Sequence, residues 1–157
     1  MYKIQEATTE HVPEIIALWT KLMNIHKDMD AHYFSETDNS KNNYKRQIET
    51  FINDLSDNVY VALIEDKVIG FTTVQLVFFP NNHCNKNSYC TLGDIMIEEE
   101  DRHLGIGKAF VEQAKLYSHS YGIKTIQLHV FSKNEKALNF FKKQGFDELF
   151  TILELKI

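Results

Sequence analysis

Cysteine, long apolar runs and leader-like segments are scarce or absent in this sequence, and each absence excludes a class of protein. Only two of the 157 residues are cysteines, Cys84 and Cys90, and they form neither a disulfide framework nor a metal-binding pattern. No apolar run approaches the length of about 18 residues that a membrane span needs. The N-terminus, MYKIQEATTE, has no apolar signal region. We therefore expect a reduced, cytoplasmic protein with no membrane partner.

The sequence also has little that would divide it into parts. Its two prolines, Pro13 and Pro80, do not mark a linker, and the chain has no repeat and no low-complexity tract. With 157 residues, of which 43% are hydrophobic, it can bury the core of one domain, and we expect residues 1–157 to form a single domain. The net charge of −5 argues against nucleic acid as a partner and favours a cationic ligand.

Hydrophobic periodicity predicts alternating secondary structure in the first half. MYKIQEA reads as a strand, and helical spacing begins at Thr9, with Thr8 or Thr9 as the N-cap. Residues 27–43 are polar and predict a loop, after which a second helical stripe begins at Tyr44. Two β-rich runs on either side of Glu65–Lys67 predict a hairpin. Turn residues, PNNHCNKN, and a fourth strand, SYCTLGDIMIEEE, follow.

The second half predicts parallel α/β structure. A helix over residues 105–121 ends at Gly122, and KTIQLHVF reads as a fifth strand. A short helix from Asn134 to Gln144 stops at Gly145, and FDELFTILELKI reads as a last strand, either continuous or broken into two. The predicted order is β-α-α-β-β-β-α-β-α-β, which is a mixed α/β (α+β) domain with an antiparallel front and a βαβ unit behind.

The stretch DRHLGIGKAF, at Asp101–Phe110, has the composition of an anion-binding loop. Gly105 and Gly107 allow close approach to the backbone, and the first turn of the following helix offers free N–H groups. Arg102 and Lys108 add positive charge. The loop predicts a phosphate site, although the two glycines would also suit a simple strand-to-helix turn. It matches neither the mononucleotide nor the dinucleotide glycine motif.

Three segments resemble one known family. Arg102-x-x-Gly105-x-Gly107 resembles the acyl-CoA motif of the GCN5-related N-acetyltransferases, the GNAT family. LHVFSKNEKALNFFKKQGF resembles that family's strand–helix segment, and VYVALIEDKVIGF resembles its hairpin. The predicted element order agrees with the family over essentially the whole chain. The resemblance implies a GNAT-like mixed central sheet of six or seven strands, splayed between the fourth and fifth strands.

The resemblance also implies acetyl-CoA as co-substrate, with no metal. Backbone groups at the end of the fourth strand would pair with the pantetheine arm, namely Ile95, Met96 and Ile97. The backbone amides of the loop would hold the pyrophosphate, namely those of Arg102, His103, Leu104, Gly105, Ile106, Gly107 and Lys108. Asn134 would contact the arm, while Ala137 and Phe141 would pack near the cofactor.

Acetyl transfer to an amine needs a group that takes the amine proton, and two side chains are the main candidates. Asp94 lies on the fourth strand beside the expected thioester, and His129 lies on the fifth strand and titrates near neutrality. Either can instead be an ordinary polar residue of a strand. The acidic run Glu98–Asp101 fits a solvated turn better. Family members often carry a tyrosine acid where this chain has Phe141, so the usual acid is missing.

The acceptor pocket is expected to come from the first helix, the loop that follows it and the end of the last strand. The first two of these contain NIHKDMDAHYF. His26, Asp30 and Tyr33 combine carboxylate, imidazole and aromatic groups, which suits a cationic amine such as a polyamine or an aminosugar. A solvated acidic loop would have the same composition. The His and Asp residues do not define a metal geometry, so no metal is expected.

These features lead to one functional hypothesis and one alternative. The chain is expected to be an acyl-CoA-dependent N-acetyltransferase that moves an acetyl group to a primary amine of a small molecule or peptide by direct attack in a ternary complex. The alternative, motivated by Phe141, is a non-catalytic acyl-CoA-binding or regulatory protein on the same fold. Strand edges and the apolar run Val77–Phe79 also predict a possible homodimer.

Overall fold

The structure is a computed structural model that describes residues 1–35, 37–78, 88–155 and 157. Within these residues, five strands form one sheet in chain order: β1 (Lys3–Glu6), β2 (Asp57–Ile64), β3 (Lys67–Phe78), β4 (Ser88–Ile97) and β5 (Ile126–Gln127). Strands β1 to β4 pair antiparallel, whereas β5 runs parallel to β4. The helices are α1 (Val12–Met29), α2 (Asp38–Asn53), α3 (Ile106–Ser120) and α4 (Glu135–Lys143), and short 3-10 turns lie at Thr9–His11 and Glu99–Leu104.

Helices cover both faces of the sheet, which explains why β2 and β3 are apolar on both sides. On one face, Ile15 of α1 and Ile48 of α2 are buried in the same cluster as Phe71 of β3. On the other face, Phe110 of α3 is buried in a cluster with Val74 of β3. Successive strand side chains point to opposite faces, so one strand serves two cores. The predicted mixed α/β class is confirmed.

The predicted hairpin and the start of the first helical segment are confirmed. Glu65 and Asp66, between β2 and β3, have φ angles of 48° and 65°. Two successive residues with positive φ are typical of the type I′ turn that joins tightly paired strands. At the start of the first helical segment, the backbone N–H of Thr8 donates to Nδ1 of His11 at 2.9 Å. Pro13 lies in the first turn of α1, where it costs no hydrogen bond.

The predicted splay between the fourth and fifth strands is present. In the described chain, β5 pairs with β4 only at Cys90–Ile126 and Thr91–Gln127, while β4 continues to Ile97. The fifth strand is therefore shorter than the predicted KTIQLHVF, because the ladder that defines a strand ends where the two backbones separate. The gap that opens beyond Thr91 positions the candidate site.

The predicted bounds of the loop between the first two helices were also wrong. The predicted loop over residues 27–43 is shorter, since α1 continues to Met29 and α2 begins at Asp38. Thr37 explains the early start: its Oγ1 accepts from the Ser40 backbone N–H at 3.1 Å, and Ser40 Oγ accepts from the Thr37 N–H at 2.9 Å. The turn predicted at PNNHCNKN lies outside the described residues.

The predicted last strand is also absent from the described chain. Residues 146–155 follow α4 without entering the sheet, so the sheet has five strands where six or seven were expected. The physical reason is that a strand needs a neighbouring backbone to satisfy its N–H and C=O groups. Among the described residues, no strand pairs with this segment.

Candidate active site

A bulge in β4 creates the centre of the site. Thr72 of β3 pairs with Ile95, but Val74 pairs with Leu92, so β4 has one more residue than β3 over this stretch. Bulges bend a strand and redirect a side chain. A Cβ on Gly93 would collide with Oγ1 of Thr73, so any other residue at this position would force Thr73 to move.

The bulge places Asp94 beneath α2, on the face covered by α1 and α2. The Tyr44 hydroxyl donates a 2.7 Å hydrogen bond to Asp94 Oδ2. The Tyr44 ring in turn stacks on Trp19 of α1, with centroids 4.5 Å apart. Burial raises the pKa of Asp94, against the opposing effects of the Tyr44 hydrogen bond and the nearby His26. Asp94 is thus a part-buried carboxyl with increased basicity.

His26, near the end of α1, is the second titratable group of this centre. Burial lowers the pKa of His26, and the attraction of Asp94 offsets that effect only in part. Its Nδ1 is buried and has no hydrogen-bond partner among the described residues. A buried nitrogen without a partner costs free energy unless a ligand or water supplies one. Asp94 and His26 therefore form a pair whose pKa values are moved toward each other, a pattern common at catalytic centres.

An aromatic cluster lines the space beside His26. Phe34, from the α1–α2 connection, stacks on His26 with centroids 4.8 Å apart and meets Phe131 edge-on at 5.0 Å. Tyr33 packs against both Phe34 and Phe131, at 5.0 and 5.9 Å. Phe131 follows β5, so the cluster links the α1–α2 connection to the segment after β5, beyond the point where β4 and β5 separate. The structure brings the predicted residues His26 and Tyr33 together through Phe34 and Phe131.

Asp30, the third predicted acceptor residue, is next to this cluster but already has a cationic partner. Its Oδ2 accepts from Lys133 Nζ at 2.7 Å, and its Oδ1 accepts from the backbone N–H groups of His32 and Tyr33 at 3.1 Å. The Lys133 hydrogen bond is the main reason that the pKa of Asp30 is lowered to about 2. Asp30 is therefore a charged carboxylate that binds an ammonium group in this structure.

Beyond the bulge, β4 leads to the glycine loop. Met96 and Ile97 are buried and pair with β3 on one side, and the other side of this stretch faces the gap. Arg102 lies in the 3-10 turn and donates from Nε to the Ile97 carbonyl at 3.2 Å, which fixes the loop to the end of the strand. His103 and Leu104 complete the turn and are exposed.

Gly105 and Gly107 have different structural roles. Gly105 precedes α3 with a φ of 83°, and a Cβ there would meet nothing within 4 Å. Ile106, Gly107 and Lys108 form the first turn of α3, whose N–H groups have no preceding carbonyl to bind. A Cβ on Gly107 would lie 3.0 Å from Cζ of Phe140, so this glycine allows α4 to pack closely against α3.

The predicted residues Asn134, Ala137 and Phe141 belong to α4 or its cap, and Phe140 of this helix packs against the first turn of α3. Asn134 caps the helix, and its Oδ1 accepts from the Ala137 N–H at 3.1 Å. Phe141 is partly buried and meets Phe140 and Phe146 edge-on, at 5.0 and 5.6 Å. The Phe141 ring therefore has an aromatic environment and no hydroxyl to donate.

His129 lies in a different environment from Asp94, because it is exposed whereas Asp94 is part-buried. It follows β5 by two residues, outside the strand where the sequence predicted it, and its side chain is exposed. No described hydrogen bond or ring contact joins it to Asp94 or Tyr44.

In the acidic run Glu98–Asp101, Glu98 is held by two hydrogen bonds from Lys21, at 2.6 and 2.7 Å.

Sequence reasoning missed four residues of the site. Tyr44 was assigned only to a helical core stripe, although a buried tyrosine hydroxyl needs a polar partner, and that was the available signal. Phe34 lies far in sequence from Phe131 and Lys133, so no local pattern connects them. Among the described residues, no group of three or more His, Cys, Asp or Glu could hold a metal ion. In that same part of the chain, no helix is both long and apolar enough to cross a membrane.

Comparison with known proteins agrees with this architecture. The family described as "Acetyltransferase (GNAT) family" matches residues 18–146. The uncharacterized N-acetyltransferase MJ1207 of Methanocaldococcus jannaschii is 22% identical over 147 residues, which are 94% of this chain and 61% of that protein. The chain thus spans less than two thirds of the length of this curated relative.

Solved structures share the fold at low identity. A tetramutant of the BH1408 protein from Bacillus halodurans has a TM-score of 0.89 at 22% identity and covers 99% of both chains. AAC(6')-Iy, solved in complex with the bisubstrate analog CoA-S-monomethyl-acetylneamine, has a TM-score of 0.74 at 14% identity, covering 100% of this chain and 98% of that chain.

Proposed function

The chain belongs to the acetyltransferase (GNAT) family, and on that basis we propose that it transfers an acetyl group from acetyl-CoA to a primary amine of a small molecule or peptide. The observation that carries the proposal is the gap beyond Thr91, with Asp94 and an aromatic cluster near one end and the glycine loop at the other. A ternary complex needs one site for the anionic cofactor and one for the amine, and in the proposal the gap provides both.

The residues of the loop fit the phosphate part of acetyl-CoA. The space at Gly105 and the first-turn N–H groups of α3 form an open cradle with positive potential, to which Lys108 adds charge. In the proposal, the amides of residues 102–108 bind the pyrophosphate. The β4 backbone at residues 95–97 binds the amide-bearing arm as an added strand would, with Asn134, Ala137 and Phe141 on its other side. Acetyl-CoA supplies the activated acetyl group as a thioester.

Asp94 is the residue that we assign to the proton of the amine. An ammonium group has no lone pair, so it must lose a proton before its nitrogen can attack the thioester carbonyl. A carboxyl with a raised pKa is a better proton acceptor near neutral pH than an ordinary one. The new N–C bond replaces the C–S bond, and the proton passes to Asp94 directly or through water. Phe141 cannot protonate the departing thiolate, which is a good leaving group and can take its proton from water.

The aromatic cluster and Asp30 are the proposed acceptor site. Rings of Tyr33, Phe34 and Phe131 beside a carboxylate suit a cationic, multiply aminated molecule such as a polyamine or an aminosugar. Lys133 Nζ is hydrogen-bonded to Asp30 in the structure, so the ammonium group of an acceptor would compete with Lys133 for this carboxylate. The AAC(6')-Iy complex joins CoA to an acetylneamine, which supports an amine acceptor of this kind for a protein of the same fold.

Binding and turnover are tested separately. We expect isothermal titration to show binding of acetyl-CoA and CoA and none of ATP, since the loop lacks a nucleotide motif. Thiol release from acetyl-CoA is then measured with panels of polyamines, aminosugars and peptide amines. The missing hydroxyl at Phe141 supports one alternative function, a non-catalytic acyl-CoA-binding or regulatory protein. Tight CoA binding without thiol release on any panel would favour that alternative.

A further inference from the structure

The proposed acceptor site already holds a primary amine, which belongs to the chain itself. Lys133 Nζ donates to Asp30 Oδ2 at 2.7 Å and lies 5.8 Å from the centroid of the Phe131 ring. A carboxylate and an aromatic face are the two contacts that the proposed function assigns to the ammonium group of an acceptor. The Lys133 amine is therefore bound as a substrate amine would be.

The Lys133 side chain keeps the freedom that a reaction needs. It is 58% exposed, whereas the side chain of Asp30 is 23% exposed. An ion pair made by an exposed, flexible lysine is weak, so the ammonium group can leave the carboxylate at little cost. The four-carbon stem can then carry Nζ to other positions around residue 133 without any change in the backbone.

Lys133 lies in the chain between the two parts of the proposed site. It follows Phe131, one wall of the aromatic cluster, by two residues. It directly precedes Asn134, which caps α4 and which the proposed function places against the pantetheine arm. The arm ends in the thioester, so a backbone that contacts the arm also brings the neighbouring side chain close to the reacting group. Such proximity is a large part of what a catalytic site supplies.

A series of contacts connects Lys133 to the residue assigned to the amine proton. Asp94 and His26 interact electrostatically, and the His26 ring stacks on Phe34 with centroids 4.8 Å apart. Phe34 meets Phe131 edge-on at 5.0 Å, and the Lys133 amine lies over the Phe131 ring. The amine and the proton acceptor therefore belong to one continuous surface around the gap.

We propose that Lys133 is a self-acetylation site, at which the chain transfers an acetyl group from bound acetyl-CoA to its own ε-amine. The ammonium group first gives one proton to Asp94, directly or through water. The Nζ lone pair then forms an N–C bond with the thioester carbonyl carbon, and the C–S bond breaks with its electron pair on sulfur. The second proton that nitrogen loses as the amide forms passes to the thiolate, which leaves as CoA. Self-acetylation rests on the proposed function, because it needs acetyl-CoA bound at the loop.

Acetylation of Lys133 changes the acceptor site. An acetylated lysine has no charge, so it cannot keep the ion pair with Asp30. The Asp30 carboxylate keeps the backbone N–H groups of His32 and Tyr33 and becomes open to the ammonium group of an acceptor. Because the Lys133 hydrogen bond is the main reason that the pKa of Asp30 is lowered to about 2, that pKa should rise toward 3.8. The modification thus converts a closed cation subsite into an open one.

The test is mass spectrometry of the intact chain and its peptides after incubation with acetyl-CoA and no acceptor. We expect one acetyl group at Lys133, added at a rate that does not depend on protein concentration. The urea-unfolded chain measures the uncatalysed reaction, and Lys133 of the folded chain should react about 100-fold faster. Lys133→Arg should remove this acetylation and keep a positive charge beside Asp30. Lys136→Arg, the matched control at an exposed position of α4, should leave it unchanged.

Calorimetry with CoA separates the failure of self-acetylation from the failure of the proposed function. If CoA does not bind, the proposed function is wrong and self-acetylation is wrong with it. If CoA binds but Lys133 reacts no faster than in the unfolded chain, self-acetylation alone is wrong. A rate that rises with protein concentration would show transfer between two chains and would overturn the assignment. Asp94→Asn should slow the reaction with CoA binding unchanged, and an equal rate in this variant would also overturn it.

Discussion

The Tyr44 hydroxyl donates a 2.7 Å hydrogen bond to Oδ2 of Asp94, a residue 50 positions further along the chain. This bond joins α2 to the bulge of β4, and the stack of Tyr44 on Trp19 holds the donor in place. Because the bond stabilises the charged carboxylate, it limits the increase in the Asp94 pKa that burial causes. Tyr44 therefore adjusts the pKa of Asp94, the group that we assign to proton transfer, and does not itself contact the reacting atoms.

Tyr44→Phe should move the acid limb of the activity profile to higher pH. Removing the hydroxyl raises the pKa of Asp94 further, so the carboxyl stays protonated to a higher pH. A hydrogen bond to a charged group is worth about 1.5–3 kcal/mol, which corresponds to a displacement of the acid limb by about 1–2 pH units. The measurement is the pH dependence of kcat/KM. Tyr117→Phe, the same change at a distant site, should leave the profile unchanged.

Asp94→Asn should separate the two candidate bases. The amide keeps the volume and can still accept from Tyr44, but it cannot take a proton. We expect kcat to fall by about 100- to 10,000-fold, with the affinity for CoA unchanged by calorimetry. His129→Gln is the parallel change at the exposed candidate and should retain most of the activity. Loss of activity in His129→Gln with full activity in Asp94→Asn would reverse the assignment.

Gly93→Ala should disrupt the bulge for a steric reason. The new Cβ would collide with Oγ1 of Thr73, and an overpacked interior costs about 1–3 kcal/mol in the free energy of unfolding. Thr73→Ala removes the colliding atom, so the double variant should recover part of the loss. Urea unfolding of the four proteins measures this coupling. Strictly additive losses would show that Thr73 is not the obstacle.

Gly105→Ala should cost stability through the backbone alone. The φ of 83° is unfavourable for a residue with a Cβ by about 1–2 kcal/mol, while the side chain itself would meet no neighbour within 4 Å. For a chain of this size, each kcal/mol lowers Tm by about 2–4 °C. Gly105→Asn should lower Tm less, because asparagine tolerates this conformation better than alanine. Equal values of Tm for the two variants would contradict the explanation.

Lys133→Gln should return the pKa of Asp30 from about 2 toward its ordinary value of 3.8, since the Lys133 hydrogen bond is the main cause of the depression. A depressed carboxyl pKa stabilises the folded state above the unfolded pKa, and this contribution is lost as pH falls through the folded pKa. The unmodified protein should thus lose this stabilisation between about pH 4 and pH 2. NMR titration of the Asp30 carboxyl gives the pKa directly, and an unchanged value in Lys133→Gln would contradict the assigned cause.

Local patterns predicted much of the fold because their causes are local. The type I′ turn at Glu65 and Asp66 and the helix stop at Gly122, with a φ of 71°, follow from short-range sterics and hydrogen bonds. The early start of α2 was missed, although the Thr37–Ser40 cap is also local, because its polar first turn resembles a loop. The prediction of the last strand failed for another reason. FDELFTILELKI has the residue pattern of a strand, but the presence of a neighbouring strand that could pair with it is not encoded in the local sequence.

The sequence by itself determined the order of the helices and strands up to α4 and the glycine loop at the start of α3. Only the tertiary structure decided which polar groups meet. The Asp94–Tyr44 bond, the His26–Phe34 stack and the Lys133–Asp30 pair join segments that are brought together by burial on the sheet. Burial depends on the summed apolar surface of the chain and carries no local signature of its own. The positions of these groups relative to one another therefore come from the packed fold.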